Sequence, residues 1–318
     1  MASDLARAYR VCARATRRHA RNFHFAFLSL PRPQRRAVYA LYVFCREADG
    51  VADDAETAPS AAGENGRAVL SVREPQEVPS ATNDDTPDNP EARRVGLNAM
   101  RNRLAAAGRG EPETEHDLAL ADTLDRYGVS EEDLRAVLDG VEFDLNPMRI
   151  ETSDHLRTYC YHVASAVGLA TLPILTDGVP PTEGMREAAV DLGLGMQYVN
   201  VLRDIDEDLA LGRIYLPSEE LAARGVTESE LRSRTMSDGL RSLLAAHAER
   251  ARSYLDSGRR LLPDLPRRSR ACPWLLSEIY GRILARIVAA DYPVFERRVS
   301  LPATEKLWLV FSSSWKRL

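Results

Sequence analysis

The chain has 318 residues, 44% of them hydrophobic, and its 42 basic and 47 acidic residues give a formal net charge of -5. That length supports one large core, while the acidic balance provides no global positive field and so excludes nucleic acid as a partner. An anionic substrate would have to be held by local arginines and metal ions.

The first segment, MASDLARAYRVCARATRRHARNF, is basic but contains no apolar run of signal-peptide length. No stretch of the chain reaches the roughly 18 apolar residues expected of a membrane span; the best C-terminal one, from Trp308 to Phe311, is far too short. The expectation is a soluble cytoplasmic protein. Four dispersed cysteines, Cys12, Cys45, Cys160 and Cys272, form no CxxC pair. They argue against a zinc site or disulfide framework and read as small buried residues of a reducing compartment.

From Gln34 to Asp54 the chain reads QRRAVYALYVFCREADGVADD, in which Tyr42, Arg46, Asp49 and Asp53 fall at spacings of 4, 3 and 4. These side chains share one face of a helix that is apolar almost everywhere else. For an arbitrary helix such a stripe is the solvated side. The segment 56–91 follows, rich in Pro, Ser, Asn, Asp and Gly, and is predicted to be a disordered insertion within a single domain spanning 1–318. Further punctuation at 108–112, 146–147, 178–181, 212–217 and 263–266 cuts the rest into helices of roughly 12 to 28 residues. No β-branched run bounded by hairpin turns interrupts them, so the predicted fold class is all-α.

The later segment DLGLGMQYVNVLRDIDEDLALGRIYLP repeats the stripe: Gly193, Gln197, Asn200, Asp204 and Asp208 run at spacings of 4, 3, 4 and 4. Leu192, Leu194, Met196, Val199, Val201, Leu202 and Ile205 cover most of the remaining circumference, and between 192 and 205 only Arg203 and Asp204 are charged. A water-facing row would collect Lys and Glu, so this row is read as facing a cavity. Carboxylates one turn apart on two helices suit a hard divalent cation bound through oxygen, Mg²⁺ with Mn²⁺ as its substitute, especially where phosphates complete the coordination shell. Without a cation they repel each other. Arg46, Arg203 and Arg213 could grip diphosphate oxygens, although each alone would read as an ordinary surface ion pair.

YALYVFCREADGVADD and GLGMQYVNVLRDIDEDLALGRIYLP resemble the two signatures of the squalene and phytoene synthase family, the head-to-head trans-prenyl synthases. GVEFDLNPMRIETSDHLRTYCYHVASAVGL is similar to the family's central segment, and YGRILARIVAADYPVFERRVSLPATEKLWL to its last helix and tail. The resemblance implies an isoprenoid-synthase helical bundle around a central cavity. By motif, it implies metal binding at Asp49, Asp53, Asn200, Asp204 and Asp208, and assistance to the departing diphosphate from Arg46 and Arg203. It also implies a catalytic role for Tyr159, although a buried tyrosine is more often structural. Tyr42, Gln197 and Arg213 would meet substrate, Tyr280 and Arg297 would approach its diphosphate, and Phe23 and Phe27 would line the prenyl channel.

Three positions depart from the family pattern. Gly50 replaces a common second aspartate; residue 50 is turned about 100° from residue 49, so the pair Asp49 and Asp53 survives. Ala20 and Asn22 stand where relatives often carry serines, and the linker after Glu56 is longer than usual.

The implied activity is Mg²⁺-dependent condensation of two farnesyl or geranylgeranyl diphosphates, toward presqualene, squalene or phytoene-type products of hopanoid or carotenoid biosynthesis. The tail leans slightly toward presqualene-forming relatives. No GxGxxG follows a strand, so the sequence gives no support for NADPH. A greasy product would keep the enzyme at a membrane periphery and beside downstream isoprenoid enzymes. The competing readings are a terpene cyclase, a head-to-tail elongase, and an inactive helical assembly factor of the same fold.

Overall fold

The computed structural model describes residues 2–53, 90–143, 145 and 149–315, so that all but the last two positions of the predicted insertion lie outside the described residues. The chain begins with α1 (Ala2–His19), α2 (Arg21–Leu28) and α3 (Arg32–Asp53). After the insertion come α4 (Pro90–Gly108), α5 (Glu115–Tyr127) and α6 (Glu131–Phe143). α7 (Ser153–Cys160) passes through a π-helical turn (Tyr161–Ser165) directly into α8 (Ala166–Leu175). α9 (Glu183–Arg203), α10 (Ile205–Ala210), α11 (Ser218–Ala223) and α12 (Glu228–Arg232) precede α13 (Asp238–Gly258). A 3₁₀ turn (Arg259–Asp264) leads to α14 (Arg267–Ala289), and α15 (Ala303–Trp315) ends the described chain. Among the described residues there is no strand, only an isolated bridge between Arg149 and Ile214.

Local sequence sets most of these boundaries. Thr114 and Thr227 accept from the N3 amides of α5 and α12 in full capping boxes, and Thr152, Thr182 and Ser237 cap α7, α9 and α13. Each cap satisfies donors that the first helical turn leaves without partners. The predicted length range fails between 205 and 232, where α10, α11 and α12 have six, six and five residues. The break at Gly212, whose φ is +73°, falls in the predicted punctuation at 212–217, whereas the breaks at Asp204 and at Gly225, whose φ is +67°, were not marked by the sequence.

The site is framed by a ring of helices. α2 packs against α3 and α14, α14 against α9, α9 against α8, and α8 back against α3. Close approach on the α9 side depends on two glycines. A Cβ on Gly193 would stand 2.6 Å from Cα of Ser165 in the π turn, and one on Gly195 would stand 2.8 Å from the backbone nitrogen of Leu255 in α13. All four cysteines are buried as free thiols. Contrary to the sequence expectation, one stretch among the described residues, Ser153–Leu175, is long and apolar enough to cross a membrane, but 72% of its window is buried inside the protein, which makes it a core element.

Candidate active site

The first polar stripe lies on α3. Tyr42 and Asp49 are buried and Arg46 half-buried on the same helix. Burial pushes the Tyr42 hydroxyl well above the usual tyrosine range, an effect that Arg46 opposes and Asp49 reinforces, so the three groups share one electrostatic environment. Asp53 is the last residue of α3; its side chain, like that of Asn22, lies outside the described residues. Ala20 is buried and precedes α2 without a side-chain cap.

The second stripe occupies α9 and continues beyond it. Every residue from Leu192 to Ile205 is buried except Gln197, which is half-buried. Gln197 Oε1 accepts from Asn200 Nδ2 at 3.0 Å, while Asn200 Oδ1 is buried with no hydrogen-bond partner among the described residues. The predicted unbroken row bends at Asp204, where φ −103° and ψ 14° separate α9 from α10. The two side chains at the bend are paired. Arg203 donates from Nε to Asp204 Oδ1 at 2.7 Å and from Nη2 to Oδ2 at 2.6 Å. Neighbours in a regular helix point about 100° apart and cannot form that fork. The Asp208 amide still bonds the Asp204 carbonyl at 2.9 Å, which keeps the two aspartates one turn apart across the bend.

A second guanidinium reaches the same carboxylate: Arg298 Nε donates to Asp204 Oδ1 at 2.9 Å and lies 3.5 Å from Glu207 Oε1. Burial alone would raise the Asp204 pKa, but Arg203 and then Arg298 pull it below the usual carboxylate range. Arg203 is itself pushed above its ordinary value, with burial opposed by Asp204. Tyr280, fully buried on α14, faces this cluster; burial raises its pKa while the nearby Arg203 lowers it. Its hydroxyl lies beside Asn200 without a formed hydrogen bond.

Aromatic rings of α2 join the two stripes. Tyr42 meets Phe27 edge-on at 6.4 Å between centroids, Phe27 lies 6.0 Å from Phe23, and Phe23 lies 6.4 Å from Tyr280. An apolar wall thus runs from the Asp49 side to the Asn200–Asp204 side, where a prenyl chain could lie with its charged end among polar groups. On the opposite flank Tyr159 stacks on Tyr215 at 4.9 Å, and Tyr215 shares a small cleft with Asp208, Arg213 and Val201. Arg213 Nη1 is buried there without a hydrogen-bond partner among the described residues.

The structure therefore gathers Phe23, Phe27, Tyr42, Arg46, Asp49, Gln197, Asn200, Arg203, Asp204 and Tyr280 around one aromatic wall. Tyr159, Asp208 and Arg213 stand on its flank. Arg297 is not brought there. It is exposed, and its neighbour Arg298 makes the contact with Asp204. Sequence reasoning missed Arg298 and Tyr215. The Arg-Arg pair gave equal grounds for either arginine, whereas Tyr215 lay inside a quoted motif without being assigned a place.

A family model described as squalene/phytoene synthase matches residues 16–74 and 79–305. A 15-cis-phytoene synthase of Synechococcus elongatus is 32% identical over 315 residues, which cover 96% of this chain and 92% of the relative. The chloroplastic phytoene synthase of Daucus carota is 32% identical over 305 residues, covering 94% of this chain and 68% of the relative. Among solved structures, a dehydrosqualene synthase in complex with ligand superposes with a TM-score of 0.80 at 24% identity, over 99% of this chain and 98% of the other. A squalene synthase, HpnC from Alicyclobacillus acidocaldarius, gives 0.75 at 28% identity over 91% of this chain and 96% of the other.

Proposed function

The chain belongs to the squalene/phytoene synthase family, and from that premise we propose that it joins two geranylgeranyl diphosphates head to head into a phytoene-type product, with Mg²⁺ at its aspartates. The observation that carries this reading is the aromatic wall of Phe23 and Phe27 running between two separate oxygen-rich sets. The C20 substrate rests on relatives matched along nearly the whole chain, which are named phytoene synthases. They outweigh the slight lean of the tail toward presqualene-forming members.

The residues present suit a hard divalent cation. Asp49, Asn200 and Asp208 offer only oxygen, and Asn200 Oδ1 is a buried acceptor with no donor among the described residues. No three acidic, histidine or cysteine groups converge among the described residues, so diphosphate oxygens would complete the shell. When bound, Mg²⁺ would neutralise charge on the departing diphosphate. Two guanidiniums already hold Asp204. Its remaining lone pairs could still face a cation while those guanidiniums hold it in place.

In the reaction the allylic C–O bond breaks and its electron pair leaves with the diphosphate. Arg203 and Arg298 stand where they can receive that charge. The cation is captured by the double bond of the second chain, and loss of a proton closes a cyclopropylcarbinyl diphosphate; this loses its diphosphate with the C–O electron pair, the ring opens with rearrangement, and loss of a second proton gives the C40 hydrocarbon. Phe23, Phe27 and Tyr42 exclude water from the cation. Tyr159, held by its stack on Tyr215, is the candidate hydrogen-bonding group near the leaving diphosphate.

Purified protein with Mg²⁺ and either farnesyl or geranylgeranyl diphosphate should release diphosphate and form a C40 hydrocarbon only from the second. Asn200→Ala should lower turnover on the order of 10²-fold with its helical circular dichroism unchanged. A C30 product would overturn the chain-length reading, and an inert protein with both substrates would overturn the activity.

A further inference from the structure

The last described helix is amphipathic in an unusual sense. α15 turns Lys306, Leu309 and Ser313 inward, at 4%, 1% and 6% exposure, and leaves Leu307, Trp308 and Phe311 outward at 55%, 57% and 67%. A helix on a water-facing surface does the reverse, burying its large apolar residues and exposing its lysines. Leu307, Trp308 and Phe311 are spaced one, three and four residues apart and therefore cover one outer face.

α15 packs on α14 and on α2. α2 directs Phe23 and Phe27 to the aromatic wall, while Leu28 on its other side is 42% exposed and Phe25 is half-buried. One short helix thus separates the wall along which a prenyl chain would lie from an exposed apolar strip. The strip is rimmed by cations. The Arg282 guanidinium lies 5.5 Å above the Trp308 ring and bonds Glu305, as does Arg286. Arg35 donates to the Leu28 carbonyl at 3.3 Å, and the first turn of α3 carries Arg32, Arg35 and Arg36 with no acid. The carboxylates paired with this rim are Glu305 and Glu278.

We propose that the outer faces of α15 and α2 seat the protein on an anionic lipid surface, with Leu307, Trp308 and Phe311 entering the headgroup region and the arginine rim meeting lipid phosphates. Aromatic and leucine side chains bordered by arginines form the composition of a helix lying in the membrane interface. A second copy of the chain fits less well, since a two-fold contact through this face would set the arginine rim against itself. The proposal rests on the prenyltransferase reading only for the reason the face lies beside α2: an apolar chain would pass from lipid to the wall without crossing water.

The test uses the full chain and sedimentation with vesicles of phosphatidylcholine alone or with about one third phosphatidylglycerol. Wild type should bind the anionic vesicles, and a double variant, Trp308→Ser with Phe311→Ser, should bind them about 30-fold more weakly. Brominated lipid should quench wild-type tryptophan emission and quench Trp308→Phe much less, a comparison that keeps an aromatic ring at the site. Equal vesicle binding by wild type and the double variant overturns the proposal. So does absence of wild-type binding, or self-association without lipid that the double variant abolishes. Turnover of detergent-dispersed substrate should be alike in wild type and the double variant. Its absence in both would refute the catalytic reading and leave the docking result standing.

Discussion

Gly193→Ala is the most exacting test of how α9 is placed. The added Cβ would lie 2.6 Å from Cα, 2.7 Å from N and 2.9 Å from Oγ of Ser165, so the obstacle is backbone and not a flexible side chain. Ser165 cannot step aside freely, because its hydroxyl donates to the Val190 carbonyl of α9 at 2.7 Å. Restoring ordinary contact needs a separation of about 1 Å between α9 and the π turn. Overpacking of this kind costs about 1–3 kcal/mol, and the better helix propensity of alanine returns about 1 kcal/mol, which leaves a net loss of about 0–2 kcal/mol. The π turn directly follows Tyr159 and Cys160, and Asn200 lies two turns along α9 from Gly193. A 1 Å displacement between reacting groups can slow an enzyme by on the order of 10²-fold. Gly184→Ala is the control: it lies in the first turn of the same helix, where a new Cβ meets nothing within 4 Å. It should stabilise by up to about 1 kcal/mol with turnover unchanged. Urea unfolding followed by circular dichroism, together with product formation, separates the two. If Gly193→Ala is as stable and as active as Gly184→Ala, the close approach of α9 to the π turn is wrong.

Two further outcomes are expected. Gly50→Asp should fold normally, since a Cβ there meets nothing within 4 Å, and should change turnover by less than about threefold because residue 50 is turned about 100° from Asp49; a large gain would place the new carboxylate among the metals. Glu220 receives Ser153 Oγ at 2.6 Å and is paired with Arg250, and His247 lies 3.6 Å away. The His247 contact is the main cause of its depressed pKa; burial opposes the shift, and Arg250 and Ser153 deepen it. The stabilisation it supplies is complete above the ordinary carboxylate value and is lost as pH falls toward its lowered one. Glu220→Gln should cost about 1–3 kcal/mol at neutral pH and flatten the acid limb of the stability profile. An unchanged acid limb, measured by denaturation between about pH 2 and pH 7, would show that this carboxylate carries no linkage.

Helical periodicity reports which side chains share a face, and where that was the question the sequence was sufficient. Tyr42 and Asp49 on α3, and Asn200 on α9, are buried on the faces that their spacing predicts. Periodicity carries no information on where a helix bends. The row through Asp204 breaks where Arg203 and Asp204 form a bidentate pair, and Arg203-Asp204 as letters does not announce that pair. It is equally silent on α15, which packs against α2 and α14 with Lys306 and Leu309 buried and Trp308 exposed.

Arg297 and Arg298 show where such reading ends. They follow α14 in a segment without regular structure, so no period selects one over the other. The selection is electrostatic and comes from another part of the chain. Asp204 is 8% exposed beside acidic Glu207, and Arg203 alone leaves both groups with acceptor capacity in a low-dielectric setting. A second guanidinium within reach of both carboxylates lowers that cost, and Arg298 is within 2.9 Å of one and 3.5 Å of the other.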